Sequence, residues 1–542
     1  MDRFRVTAGI SLALAAGLSL APSISAQEPH AGHAEGDRLG HISFPVSCTP
    51  PARQRFEHAM AALHSFWWEQ ADQTFGAVLA ADSTCAMAYW GLALNAWGNP
   101  FVGGPTGAKL SRGAHAATRA AALPARTPRE QGFVAAAAAL YRDAGAVPNA
   151  SRLQAYADTM ARLHRDFPDD VEVAIYHALA LVATASRTDT TFAQQKRAVA
   201  ILDPLFARYP EHPGLAHYVI HSTDSPQLAS LGVKAARRYA RIAPAAPHAQ
   251  HMPSHIFVRL GLWGETVASN LRSYDVGVSY AKRAGLPGAT GEELHALDYA
   301  VYAYLQGGRD SAARAAVARG HRLGIPPGEG SLVKAYNGTA MAARVPLERG
   351  DWAAAAALPL PDAETGVTPA LIRFARAVGA ARSGRPEAAR AEVAALDAIA
   401  SSLMAAQETY WSRVVAIKRD AAGSWVRFAA GDTAGALALA TAAADSEEVT
   451  DKHPVTPGEL LPARELLADM LLAAGRYGEA RAGYLATLAR EPGRARSVYG
   501  AARAADLAGD REAARAGYRD YLKLMAGADG GRPELAVARA AR

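Results

Sequence analysis

Residues 468–492, ADMLLAAGRYGEARAGYLATLAREP, and residues 501–525, AARAADLAGDREAARAGYRDYLKLM, are two versions of one pattern. Shifted by 34 positions, Ala468 falls on Ala502, Gly475 on Gly509, Ala480 on Ala514 and Tyr484 on Tyr518. A helix, a glycine, and a second helix with an alanine five residues past that glycine is the plan of an antiparallel hairpin. The glycine supplies the left-handed residue that ends the first helix, and the alanine lets the second helix lie close against it. Pro492 stands where the second helix must stop.

The same glycine and alanine recur at Gly308/Ala313, Gly350/Ala355, Gly384/Ala389 and Gly431/Ala436. From Gly308 to Gly509 the successive glycines stand 42, 34, 47, 44 and 34 residues apart. A 34-residue unit with these small, turn and large positions is that of a tetratricopeptide repeat, and the longer intervals predict longer helices or loops. The chain therefore reads as all-α, a tetratricopeptide-like α-solenoid of antiparallel helix hairpins. Its repeats are recognisable over 291–542 and degenerate over 51–290. In the degenerate part, residues 55–95 still place Ala71 and Phe75 in a second helix and open the next hairpin with AYWGLA. TPRE at Thr127–Glu130 and TPGE at Thr456–Glu459 both read as capping boxes that start helices. No sustained alternation of β-branched residues predicts a sheet.

At 542 residues, half of them apolar, the chain is too long for one core and suits a repeat array. Arg3 and Arg5, the apolar run Val6–Ala21 and the small residues ending at Ala26 predict a secretory signal peptide over 1–26, cut after Ala26, with a flexible lead over 27–50. No later run is apolar enough to predict a membrane span. The two cysteines, Cys48 and Cys85, are expected to form a disulfide in the oxidising space to which such a leader delivers a protein. The formal charge is +6, with basic residues scattered among acids, so a nucleic-acid partner is not indicated.

Six histidines, His212, His217, His221, His248, His251 and His255, fall in HPGLAHYVIHSTDSP (212–226) and APHAQHMPSHIF (246–257). His217 and His221 are four apart and share a helix face; His251 and His255 are also four apart, but Pro253 separates them, placing His251 at a helix entrance and His248 on the loop before it. Converging, the four of the two pairs would make an imidazole set suited to Zn, Cu or Fe, with Asp224 as a nearby acid. Two other readings stand beside that one: histidines that cap helices and fill crossings, and a concave pocket holding a polar ligand without metal. For the pocket the candidates are His64, His177, His248, Arg259 and His295. His30 and His33 belong to the flexible lead. Phe66, Trp67, Trp68, Tyr299, Tyr302 and Tyr304 read as packing, with one of the three tyrosines able to line a groove. No HExxH, phosphate-binding loop, dinucleotide fingerprint, nucleophile elbow or paired-cysteine zinc pattern is present.

Taken in order, LHSFWWEQA, CAMAYWGLAL, HPGLAHYVIHSTDSP, HAQHMPSHIFVRLGLW, HALDYAVYAYLQ and TPGELLPARELLADMLL resemble a family of exported bacterial tetratricopeptide-repeat proteins, and more distantly the tetratricopeptide repeat protein 38 family. The resemblance spans nearly all of the chain after the leader. It implies an all-helical repeat fold and supplies no reaction, cofactor or catalytic residue. The expectation is a periplasmic or secreted scaffold that binds a protein or peptide partner, with a histidine-lined pocket in its first half. The alternative is a Zn, Cu or Fe metalloprotein, a hydrolase or an oxidase. Binding ranks ahead of catalysis because no complete catalytic constellation is visible. The charged final helix, GRPELAVARAAR, reads as a polar cap and favours a monomer.

Overall fold

The computed structural model describes residues 38–541 except 125–126, 188, 287, 289, 324–331 and 362–365. The signal peptide expected over 1–26, and His30 and His33, lie outside the described residues. Among those described, the secondary structure is α-helical without a strand, running from the Pro50–His64 helix to the Pro533–Ala540 helix. None of these helices is long and apolar enough to cross a membrane.

Each helix packs mainly on its neighbours in the chain, as an α-solenoid requires. The six repeat glycines have positive φ, from 66° at Gly350 to 86° at Gly431. The six alanines that follow them are buried against the preceding helix. Thr127 and Glu130 form the reciprocal capping box. TPGE does not start a helix: the next one begins at Ala463, and Thr456 and Glu459 serve tertiary contacts. The Thr456 hydroxyl accepts from Arg344 Nη2 at 2.7 Å, and Glu459 pairs with Lys418. A capping box needs the following residues free to turn helically, and here buried cations hold both of its polar residues.

Cys48 and Cys85 are joined, closing a 37-residue separation with Cα atoms 5.1 Å apart. One core runs from Leu39 to Tyr280 and another from Tyr336 to Ala504. Between them a smaller core from Val258 to Met341 surrounds the Glu292–Gln306 helix, which is buried along almost its whole length. That core spans residue 290, so the regions 51–290 and 291–542 are proposed as differing in repeat regularity while sharing packing at their junction. The C-terminal hairpins curl back onto it. Trp263 Nε1 donates to the Gly493 carbonyl at 3.0 Å, and Arg532 pairs with Asp310 at 2.5 Å. The curled-back segment also meets the Glu292–Gln306 helix, whose Tyr302 hydroxyl donates to Glu491 at 3.0 Å.

Candidate metal centre

The Pro213–Thr223 helix carries His217 and His221 one turn apart. It lies so close to His64 that a Cβ on Gly214 would come 2.5 Å from that ring. Pro253 divides the next histidine-bearing stretch into the helices Pro247–His251 and Pro253–Arg259. His248 is therefore helical rather than on a loop, and His251 ends the first of these helices immediately before the second. The Glu292–Gln306 helix contributes His295 and Tyr299.

Six imidazoles gather where these helices meet, in two groups: His217, His221 and His248, and His251, His255 and His295. Within each group, potential ligand atoms lie within 4.8 Å of one another. The two expected pairs thus do not surround one point; each is completed by a third histidine. The groups adjoin, with ring centroids 6.2 Å apart for His248 and His251 and 6.4 Å for His221 and His255.

Hydrogen bonds decide which nitrogens are available. His251 Nδ1 lies 2.6 Å from Asn270 Oδ1, and Asn270 Nδ2 donates to the Thr266 carbonyl at 2.8 Å. That second bond orients the amide so that its oxygen faces the histidine. His255 Nδ1 donates to the Asp224 carboxylate at 2.8 Å. Both Nδ1 atoms carry hydrogen, so in neutral rings both Nε2 atoms present lone pairs. Yet the two Nε2 atoms stand 3.0 Å apart. Lone pairs at that distance repel unless a proton or a cation lies between them. Burial pushes His251 well below the ordinary histidine range, and pushes His255 down against the opposing pull of Asp224, so an extra proton is disfavoured. A shared cation fits: bonds of about 2.0–2.1 Å at angles from about 90° to tetrahedral separate two ligand atoms by about 2.9–3.4 Å.

In the other group one ring of the facing pair, His217, is held from behind in the same manner. His217 Nδ1 donates to the His64 carbonyl at 2.6 Å, and its Nε2 faces His221 Nε2 at 3.0 Å. His248 Nδ1 donates to Glu292 at 3.2 Å, and its Nε2 is buried with no hydrogen-bond partner. His295 Nδ1 is also buried without one. Each group therefore has one carboxylate-backed histidine, His255 on Asp224 and His248 on Glu292. Such backing fixes the tautomer and direction of metal-ligating imidazoles.

Burial, reinforced by neighbouring histidines, holds His217 and His221 well below the usual range and His295 down to about 3. Burial pushes the Asp224 carboxyl up, but Lys452, Arg259 and the His255 hydrogen bond outweigh it and hold the group well below the usual carboxylate range. Glu292 is held low in the same way, chiefly by His248. His217, His221, His251, His255 and His295 are thus uncharged electron-pair donors near neutral pH, beside two carboxylates that stay ionised.

A third group, His64, Glu172 and His212, differs in kind. His212 Nδ1 accepts from the Leu215 amide at 3.4 Å, so the hydrogen is on Nε2, which donates to Glu172 at 3.0 Å. His64 Nε2 meets the other Glu172 oxygen at 3.0 Å, and its Nδ1 meets the Tyr218 hydroxyl at 3.1 Å. Hydrogen bonds occupy these nitrogens, and this network braces the His64 carbonyl that orients His217.

Of the remaining candidates, Arg259 pairs with Asp224 at 2.8 Å, whereas His177 stacks on His164 at 5.1 Å and joins none of the three groups. The sequence did not single out Asn270 or Glu292, and it marked Phe66 as packing and Tyr299 as packing or, with Tyr302 and Tyr304, one candidate to line a groove. Tyr299 Oη lies 3.4 Å from His255 and directs its single hydrogen at the neighbouring carbonyls of Pro454 and Thr456, 3.1 and 3.2 Å away. Phe66, at a positive φ of 51°, packs its ring on His217 at 4.5 Å. A bulky residue with positive φ beside a histidine group is a local signal of strain. A cleft of about 210 Å³ reaches the cluster at His221 and Asp224.

No protein-family model matches the chain, and no curated protein matches it. Among solved structures it is similar to the crystal structure of the yeast Tom70, at 11% identity and a TM-score of 0.26, with 91% of this chain and 95% of that chain covered.

Proposed function

We propose that the protein is an exported metalloprotein whose helical repeats frame two adjacent three-histidine sites, one at His217, His221 and His248 and one at His251, His255 and His295. The observation that carries this reading is the pair of Nε2 lone pairs of His251 and His255, held face to face by acceptors behind both rings. It reverses the ranking drawn from the sequence, in which a scaffold came first. Copper suits the donors best among Zn, Cu and Fe. Imidazole ligands bring no negative charge to offset an ion's own, so a monovalent ion is less costly to bury than a divalent one, and imidazole serves both copper oxidation states.

Redox chemistry suits the site better than hydrolysis. The two nearby carboxylates, Asp224 and Glu292, are both committed to histidines, leaving neither as a general base. Export rests on the leader pattern of residues 1–26 and is supported by the Cys48–Cys85 disulfide. The experiment is a titration of chelator-treated protein with Cu(I), and separately with Zn²⁺, under competing chelator. Two tightly bound equivalents per chain are expected, and none would end the metal reading.

A second reading, as a scaffold for a protein or peptide, draws on the C-terminal repeats. The helices Thr433–Glu448, Ala463–Ala473 and Tyr477–Arg490 enclose a cavity of about 440 Å³ lined by Leu437, Leu467, Leu471, Arg464 and Arg476. Concave grooves of this type are where helical repeats take extended segments. The two readings are compatible, because the groove and the histidines occupy different parts of the chain.

A further inference from the structure

Resting on the metal reading, we infer that the cleft ending at His221 is a binding site for a small carboxylate with a flat apolar body, anchored through Lys452 and Ser225. The cleft runs between the segment after the Val171–Ala183 helix, the end of the Pro213–Thr223 helix and residues 448–454. Among the described residues that line it, His221 is the member of the six-histidine cluster.

The lining is unevenly committed. Asp224 is taken by His255 and Arg259, Glu448 by Arg464, and Asp451 lies 3.4 Å from Arg259. Asp189, the fourth acid, accepts from Thr191 and Ala193 at the outer rim. The cations are less fully used. Lys452, with its side chain only 9% exposed, donates once, to the Thr456 carbonyl at 3.1 Å, and its nearest carboxylate oxygen is 3.9 Å away on the already engaged Asp224. An ammonium has three N–H donors, so two of those on this cleft-lining lysine have no acceptor within hydrogen-bond distance among the described residues. Arg490 also lines the cleft, with no ion-pair partner among the described residues. Ser225 Oγ is buried in the same wall and has no hydrogen-bond partner. Burial pushes Lys452 down to about 8, so its charge persists at neutral pH in a setting that an anion would relieve.

The rest of the ligand is described by what faces these anchors. The Phe101 ring packs on His221 at 4.3 Å between centroids, tilted by 31°, and Val182, Pro226 and Val449 add apolar wall. A planar body lying on Phe101, with its carboxylate at Lys452, would bring its other edge to the rim of the metal pair. The substrate class that follows is a small aromatic or unsaturated acid.

Benzoate is the probe, titrated calorimetrically into metal-free full-length protein, with metal stoichiometry measured separately on the same preparations. Benzoate is expected to bind wild type in the millimolar range or tighter. Lys452→Met should weaken it about tenfold or more, and Lys452→Arg should restore most of the loss. Ser225→Val, which fills the cleft wall, should also weaken it, and the neutral analogue benzamide should bind more weakly than benzoate. Circular dichroism and metal content, unchanged in the variants, keep a folding defect apart from a lost anchor. Equal affinity of wild type and Lys452→Met, or no binding by wild type at about 20 mM, overturns the proposal. Metal uptake without benzoate binding defeats this inference alone, and benzoate binding without metal uptake defeats the metal reading alone.

Discussion

Replacing Asp224 with asparagine tests whether the carboxylate aims His255 at an ion or merely supports the fold. Asp224 accepts from His255 Nδ1 at 2.8 Å through one oxygen and from Arg259 Nε at 2.8 Å through the other. Asparagine keeps the shape but has a single acceptor oxygen, so its amide nitrogen must oppose one of those donors. Two effects follow. The metal affinity of the His251, His255 and His295 site should fall by about 10–100-fold, the usual consequence of removing a second-sphere carboxylate. The metal-free protein should lose about 3 kcal/mol, the lower end of what breaking a buried ion pair costs, because Arg259 keeps the carbonyl of residue 224 and Asp451. Chelator competition reads the first effect and urea unfolding the second. A variant that loses stability but binds both ions with wild-type affinity would refute the reasoning, since the carboxylate would then serve only the fold.

Three further outcomes are expected. Acidification should destabilise the metal-free protein. His295 titrates near 3 when folded and near 6.5 when unfolded, so its contribution is complete above about pH 6.5 and is lost as pH falls toward 3, by up to about 1.4 kcal/mol per pH unit for each such histidine; pH-dependent urea midpoints check this, and a flat profile would contradict it. Replacing Cys48 and Cys85 with serine should cost about 4 kcal/mol, from the entropy of the 37-residue loop they close, visible as a lower thermal midpoint. Gly475→Ala, at φ 75° in open surroundings, should cost about 1–2 kcal/mol through backbone strain alone, leaving metal content untouched.

The helical hairpins were legible because glycine and alanine carry their meaning locally: a left-handed turn and a close approach need only a few residues to specify. The disulfide was legible because two cysteines allow one pairing. The histidine pairs were also visible as i, i+4 spacings, but their partition into two groups was not. His248 and His295 join them through packing of helices distant in sequence, and a lone histidine in an apolar helix carries no mark of what it faces. Asn270 and Glu292 were invisible for the same reason, since a side chain that orients a ring from behind has no fixed spacing to it. TPGE misled because its cap signal is local, whereas Arg344 and Lys418, which claim Thr456 and Glu459, arrive from more than forty residues away.

Anomalous diffraction from crystals of copper-loaded protein, recorded above and below the metal absorption edge, tests the account most directly. It predicts two peaks, one among His217, His221 and His248 and one among His251, His255 and His295, with none at His64, Glu172 and His212. A single peak at the Glu172 group, or no ordered peak in protein shown to be folded, would contradict it.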